Sequence, residues 1–229
     1  MTAATPDSIL PGSDVENVIA IDGPAGAGKS TVARAVAART GLPYLDTGAM
    51  YRCIALAVLR EGLDPADESR VAVIAEASRI ELDGRVALLD GEDVSDRIRG
   101  PEVSSVVSVI ATHPRVRTAM RSQQQRWVEA RGGAVVEGRD IATVVFPRAA
   151  LKVFLTASAR ERARRRVEQV GGDIEEIAAA IAERDHMDST RADSPLRPAD
   201  GAIHIDSSGC DVEEVVARIC RAWKDSEGG

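Results

Sequence analysis

The stretch that most narrows what this chain can fold into is Val18-Ile19-Ala20-Ile21, followed after Asp22 by Gly23-Pro24-Ala25-Gly26-Ala27-Gly28-Lys29-Ser30. Four apolar residues in a row read as a strand buried on both faces, and Thr31 to Ala37, with Val32, Val36 and the alanines inward, reads as a helix. Between them the spacing G-x-x-x-x-G-K-S is that of a phosphate-binding loop. Gly23, Gly26 and Gly28 let successive N–H groups converge on phosphate oxygens, and the helix N-terminus adds partial positive charge. Lys29 is placed to reach β- and γ-phosphates, and the Ser30 hydroxyl to ligate Mg²⁺. A tight turn would account for the glycines alone. It would not account for Lys29-Ser30 in register between a strand and a helix.

A chain of 229 residues can bury a sizeable core without disulfides or metal, and one α/β domain with an insertion is the expected organisation. With aromatic residues at 3%, that core must be mostly Val, Ile, Leu and Ala. A net charge of −7 argues against nucleic acid or an anionic membrane as the main partner, since both are held by clustered Lys and Arg. Cys53, Cys210 and Cys220 form no C-x-x-C pair and read as small buried apolar residues of a reducing compartment. Residues 1–16 lack the basic-then-apolar layout of a signal peptide and read as a disordered lead-in. No apolar run is long enough to cross a bilayer, so a cytoplasmic protein is expected.

Downstream, Gly41 reads as a helix C-cap and Leu42 to Leu45 as a short strand. Asp46 or Thr47 caps the next helix, with Ile54, Ala55, Val58 and Leu59 inward. Arg52, near the start of that helix, opposes a dipole that favours acids there, so its partner is either a bound anion or a nearby carboxylate. After a loop and cap at Leu63 to Asp67 and a helix at Val71 to Ala75, Arg79 to Leu88 alternates as a hairpin across Asp83-Gly84, with a second turn at Asp90-Gly91. This antiparallel unit marks residues 61–112 as an insert in a core made of 17–60 and 113–229. Ser104, Ser105 and Ser108 read as helix-face residues in preference to ligand contacts.

Residues 115–127 read as a long helix that Pro114 opens and Gly132-Gly133 closes, with Val116, Met120 and Trp127 inward. The strand at Ala134 to Val136 ends in Glu137-Gly138-Arg139-Asp140. Ligands of open α/β sheets lie off the carboxyl ends of strands, so Arg139 and Asp140 should face the nucleotide. After a strand at Lys152 to Leu155, the arginine-dense helix 160–166 is either a solvated helix laced by pairs such as Glu161 with Arg165 or, in the preferred reading, part of a cationic lid at 158–173 hinged at Gly171-Gly172. A helix from Ile174 to Arg184 leads to a polar segment, Asp185 to Arg191, and Ala202 to Asp206 is the last strand. Asp211 to Glu214 resembles a capping box opening a helix with Val212, Val215, Val216, Ile219 and Trp223 inward. His204 reads as a packed strand residue, and with His113 and His186 it shows no metal or triad spacing.

Taken together, IDGPAGAGKST at 21–31, LDTGAMYR at 45–52, GEDVSDRIR at 91–99, HPRVR at 113–117, EGRDIATVVFP at 137–147 and ERDHMDSTRADSPL at 183–196 resemble the nucleoside monophosphate kinases, and among them the bacterial cytidylate kinases. The resemblance runs from Val18 to about Ala222. It implies a P-loop NTPase-like α/β fold: a parallel sheet with helices on both faces, an inserted monophosphate-binding subdomain with antiparallel strands, and a short helical lid. It also implies ATP and Mg²⁺ as cofactors and a monomeric enzyme of pyrimidine metabolism that phosphorylates CMP or dCMP. Gly23, Pro24, Ala25, Gly26, Ala27, Gly28, Lys29, Ser30 and Thr31 would hold ATP, with Ser30 on the metal. Arg52 and Arg139 would clamp the acceptor phosphate, and Thr47, Arg117, Asp140 and Arg191 would line the cytosine and phosphate region. Arg184 and Asp188 would reach the pentose, with Ser108 supporting Asp188, and the catalytic set would be Lys29, Arg52, Arg139 and Asp140.

Two other functions compete. A P-loop kinase for a different nucleotide or a sugar acid would share the loop, but Arg52 and Arg139 favour an acceptor that already carries a phosphate. A nucleotide-dependent switch would need the polar segments at 46–52 and 184–191 to be mere surface.

Overall fold

All five residues of β1 (Val18–Asp22) are buried, as befits a strand flanked on both edges and covered on both faces. The computed structural model describes residues 15–227. The expected lead-in therefore lies outside the described residues except for Val15 and Glu16, and the Glu16 carbonyl accepts the Ala150 N–H at 2.9 Å. From β1 the chain enters α1 (Lys29–Thr40), closed by Gly41 in the left-handed conformation with its N–H on the Ala37 carbonyl. β2 (Tyr44–Asp46) follows, and the Asp46 carboxylate caps α2 (Thr47–Arg60) by accepting the Ala49 N–H at 2.9 Å.

After α3 (Glu68–Ala77) comes a small antiparallel sheet of β3 (Ile80–Asp83), β4 (Val86–Leu89) and β5 (Glu92–Asp93). Its second turn puts Asp90 and Gly91 at φ 52° and 85°, the left-handed pair that a two-residue hairpin turn needs. Next are α4 (Pro101–Ile110) and α5 (Pro114–Glu129), then β6 (Ala134–Gly138), β7 (Leu151–Thr156), α6 (Ala159–Val170), α7 (Ile174–Thr190), β8 (Ile203–Asp206) and α8 (Val212–Glu227).

The main sheet is parallel throughout, in the order β2-β6-β1-β7-β8. On one face Ile19, Ile21, Val153 and Leu155 pack with Val32 and Val36 of α1 and with Val216, Ile219 and Trp223 of α8. On the other, Val18, Ala20 and Val136 pack with Met50 and Ile54 of α2, Val107 of α4 and Met120 of α5. Leu82 and Leu89 of the antiparallel sheet join this second core, which ties residues 61–112 to α2. No helix among the described residues is long and apolar enough to cross a membrane.

Four expectations need correction. The helix thought to stop at Arg184 continues to Thr190, and Asp188 within it is buried, because its charge is paired there. Val212 is exposed at 39%, so the buried face of α8 begins only at Val215 and Val216 and runs on through Ile219 and Trp223. Of the three cysteines only Cys53 is buried, Cys210 being exposed and Cys220 half-buried. His204 lies on an exposed position of edge strand β8, with its ring 5.7 Å from that of Phe154.

Candidate active site

The loop from Gly23 to Gly28 turns at the carboxyl end of β1 into the N-terminus of α1. Gly23 is required by space: a Cβ there would lie 1.9 Å from the Leu155 carbonyl oxygen. Gly28, at φ 89°, is the N-cap of α1 and brings no capping side chain, so the first-turn N–H groups face the loop. The Lys29 ammonium folds back to donate to the Pro24 carbonyl at 2.8 Å. Burial first, and then the neighbouring Arg139 charge, lower the Lys29 pKa against the pull of Glu137.

Facing this loop is a concentration of guanidinium groups. Arg52, from the second turn of α2, donates to Ser104 Oγ at 2.9 Å and to the Ile98 carbonyl at 3.4 Å, and thus bonds to neutral oxygens instead of a carboxylate. Its pKa is lowered by burial and by Arg166, Arg99 and Arg139, outweighing Asp46. Arg184 of α7 is pushed down to about 10 by burial and by Arg139, with Arg52 and Arg166 adding to the effect. Asp46 and Asp188 offset part of this charge, yet at Arg52 and Arg184 the neighbouring guanidinium groups still add to burial in disfavouring the cation, a surplus of positive charge that suits a polyanion.

Beyond this cluster runs a buried chain of alternating charge. Arg139 donates to Asp188 at 2.7 Å, Arg191 lies 3.8 Å from Asp188 and 3.6 Å from Asp140, and Arg117 closes the chain on Asp140. Although burial opposes it, Arg139 holds the Asp188 carboxyl below its usual range. Thr47 donates to the Glu137 carbonyl at 2.6 Å and so fixes the start of α2 to the end of β6. Of the residues expected in the acceptor region, Thr47, Arg52, Arg117, Arg139, Asp140, Arg184, Asp188 and Arg191 are joined through these contacts and charges. Ser108, half-buried on α4, makes no hydrogen bond to Asp188.

Three site residues carried no signal by spacing. Asp22, at 2% exposure, ends β1 immediately before Gly23, and Glu137 is the penultimate residue of the neighbouring β6, opposite Ile21. Tyr44 donates its hydroxyl to Glu137, while burial and Asp46 raise the Glu137 pKa. The clue, a lone acid closing an apolar run, was visible at both acids. Tyr44 had none, because its partner is 93 residues away.

Helix α6 presents two faces. Outward, Arg164 pairs with Glu161 and Glu168, the solvated arrangement. Inward, Arg162 donates to the Ala25 carbonyl at 3.1 Å, and Arg165, besides its pair with Glu161, donates to Ser207 Oγ at 3.0 Å, so this side of the helix is docked against the phosphate loop and the end of β8.

A family model described as cytidylate kinase matches residues 19–225. A cytidylate kinase from Caldanaerobacter subterraneus subsp. tengcongensis is 49% identical over 216 residues, covering 92% of this chain and 96% of that protein. A bifunctional pantoate ligase/cytidylate kinase from Prochlorococcus marinus is 50% identical over 213 residues, covering 88% of this chain, which spans only 42% of that relative's length. Among solved structures, an uncharacterized protein from Eubacterium ventriosum superposes with a TM-score of 0.51 at 15% identity, covering 89% of this chain and 96% of that one, a likeness of fold alone.

Proposed function

The chain belongs to the cytidylate kinase family, and we propose on that footing that it transfers the γ-phosphoryl group of ATP to the phosphate of CMP or dCMP, giving ADP and CDP or dCDP. The observation that carries the reading is the meeting of the Gly23–Gly28 loop with the Arg52, Arg139 and Arg184 cluster, two anion-binding sets off the same sheet edge. Joining two polyanions needs positioning and charge neutralisation more than a nucleophile.

In this mechanism Lys29 and the loop amides of residues 23–31 hold the ATP phosphates, and Arg52 and Arg139 grip the acceptor phosphate with the forked geometry that suits its oxygens. Asp140, Arg117, Arg191 and Thr47 line the base and phosphate region, and Arg184 and Asp188 meet the pentose. Residues 61–112 act as the monophosphate-binding insert and 158–173 as the lid. Arg166, exposed and close enough to Arg52 and Arg184 to lower their pKa, is the lid arginine best situated to meet transferring phosphate. Mg²⁺ suits the donors present: the Ser30 hydroxyl is within hydrogen-bonding reach of the Glu137 carboxylate, and hard oxygens are its preferred ligands. Ser30 would hold it, and the ion would neutralise charge on the phosphates. The partners are small nucleotides, the net charge of −7 disfavouring nucleic acid, and the enzyme is a cytoplasmic monomer.

Coupled ADP release from ATP and Mg²⁺ is measured with CMP, dCMP, UMP, AMP, GMP and gluconate in turn. Turnover confined to CMP and dCMP is the expected result, and turnover with another acceptor alone would replace the acceptor assignment. CMP without ATP should raise the melting temperature by about 5–10 °C at 100 times its Kd, a rise that a nucleotide switch would not show. Ser104→Ala, which deletes an acceptor from Arg52, should raise the KM for CMP by about 3- to 10-fold, the scale of one net intramolecular hydrogen bond, and leave the KM for ATP unchanged. Equal rises in both would show that Ser104 does not act through Arg52.

A further inference from the structure

Both carboxylate oxygens of Asp22 are committed to one short segment. Oδ1 accepts the Ile141 N–H at 2.9 Å and Oδ2 the Ala142 N–H at 2.8 Å. These amides open a single π-helical turn over Ile141–Val145, and they are its first donors, with no acceptor inside the turn. Later in it, the Val144 and Val145 N–H groups reach the Asp140 carbonyl and the Phe146 N–H the Ile141 carbonyl. Asp22 is thus the cap of a turn that lies 119 residues further along the chain. Turns of this kind are rare and gather at functional sites.

Asp22 also stands opposite Gly138 in the β1–β6 ladder. Gly138 is itself confined, since a Cβ there would lie 2.7 Å from the Ile141 side chain and 2.8 Å from Thr47 Oγ. The two residues between Gly138 and Ile141 are Arg139 and Asp140. They are therefore pinned on both sides by one residue, by backbone pairing before them and by a carboxylate after them. The pinning residue directly precedes Gly23 of the phosphate loop. Among the described residues Asp22 has no ion pair to offset its burial, which pushes its pKa up to about 7 against the two backbone bonds. The Lys29 charge favours the ionised form but does not outweigh burial, and a buried carboxylate so weakly compensated is unfavourable for stability.

We infer that Asp22 is a positioning residue that holds the Arg139-Asp140 clamp in register with the phosphate loop, so that donor and acceptor phosphates meet in line. This rests on the proposed transfer to CMP.

The test is steady-state kinetics of Asp22→Asn, Arg139→Ala and the double variant, alongside the parent protein. Asp22→Asn keeps the side-chain volume but replaces one acceptor by a donor that faces an N–H. It should lower kcat/KM for CMP by about tenfold, the scale of a small misplacement at a reacting centre, with the KM for ATP within about twofold of the parent. In the Arg139→Ala background it should cost less than about twofold, since the group it positions is already gone. A merely structural role would lower the active fraction alike in both backgrounds. Multiplicative losses, a raised KM for ATP in place of CMP, or parent-like kinetics would each overturn the inference while leaving CMP kinase activity intact. A parent protein inert towards CMP would end the functional reading and this inference with it. If Asp22→Asn does not fold, Asp22→Ser, smaller and with a rotatable hydroxyl acceptor, is judged by the same criteria.

Discussion

Lys29→Ala is expected to lower kcat for CMP by about 10²-fold or more, the scale on which phosphate-stabilising groups act in phosphoryl transfer. The side chain is 7% exposed and, among the described residues, its ammonium donates to the Pro24 carbonyl alone; Glu137 and Asp22 favour its charge, but burial outweighs them, so the ligand-free fold gains little from it. Burial and Arg139 lower its pKa, which marks the charged form as disfavoured until anionic oxygens arrive. The melting temperature of the free variant should accordingly stay within a few degrees of the parent, with about 2–4 °C corresponding to each kcal/mol in a chain of this size. Turnover of the folded variant near the parental rate would remove Lys29 from the phosphate site.

The largest effect on stability is expected from Arg117→Ala. Arg117 is 3% exposed and pairs with Asp140, itself 7% exposed, with a second contact to Asp193 at 3.3 Å. Truncation strands the Asp140 carboxylate with Arg191 at 3.6 Å as its remaining ion-pair partner. Breaking a buried pair from one side costs about 3–5 kcal/mol, so urea unfolding of the ligand-free protein should show a loss of that size. By contrast Arg39→Ala, which breaks a pair with Glu213 whose side chains are 43% and 64% exposed, should cost less than about 1 kcal/mol. Comparable losses for the two would mean that Arg117 does not hold Asp140.

What could be read along the chain was whatever depends on neighbours in sequence. The phosphate loop is of this kind, because a strand, three glycines and Lys29-Ser30 are covalently adjacent and each has a local task. So are the Gly41 cap, the Asp46 cap and the two hairpin turns. The arginine run of α6 was half legible: the Glu161 pairs follow from helical spacing, whereas Arg162 on the Ala25 carbonyl depends on how the helix docks. Fully non-local arrangements were hidden. Helix α7 runs on through Asp185 to Thr190 because Arg162 and Arg139, from α6 and the end of β6, neutralise the acids on its inner side. Sequence patterning counts those acids as solvent-seeking. The π-turn after Asp140 likewise depends on a carboxylate contributed by a distant strand, and a window of a dozen residues around Ile141 contains no trace of it.

The place of β1 in the sheet also bears on how the molecule assembles. Its two neighbours are β6 and β7, with Val18 opposite Ala134 and Ile19 opposite Leu151. The strand that leads into the phosphate loop is therefore paired only through residues far downstream of it, and the loop's glycines and Lys29-Ser30 are made well before either partner strand. Until β6 and β7 pair with it, the apolar run Val18 to Ile21 has no strand beside it, its closure postponed by the entropy of a very long loop. Strand order of this kind favours slow folding and lengthens the exposure of an unpaired strand to aggregation, whatever reaction the finished protein performs.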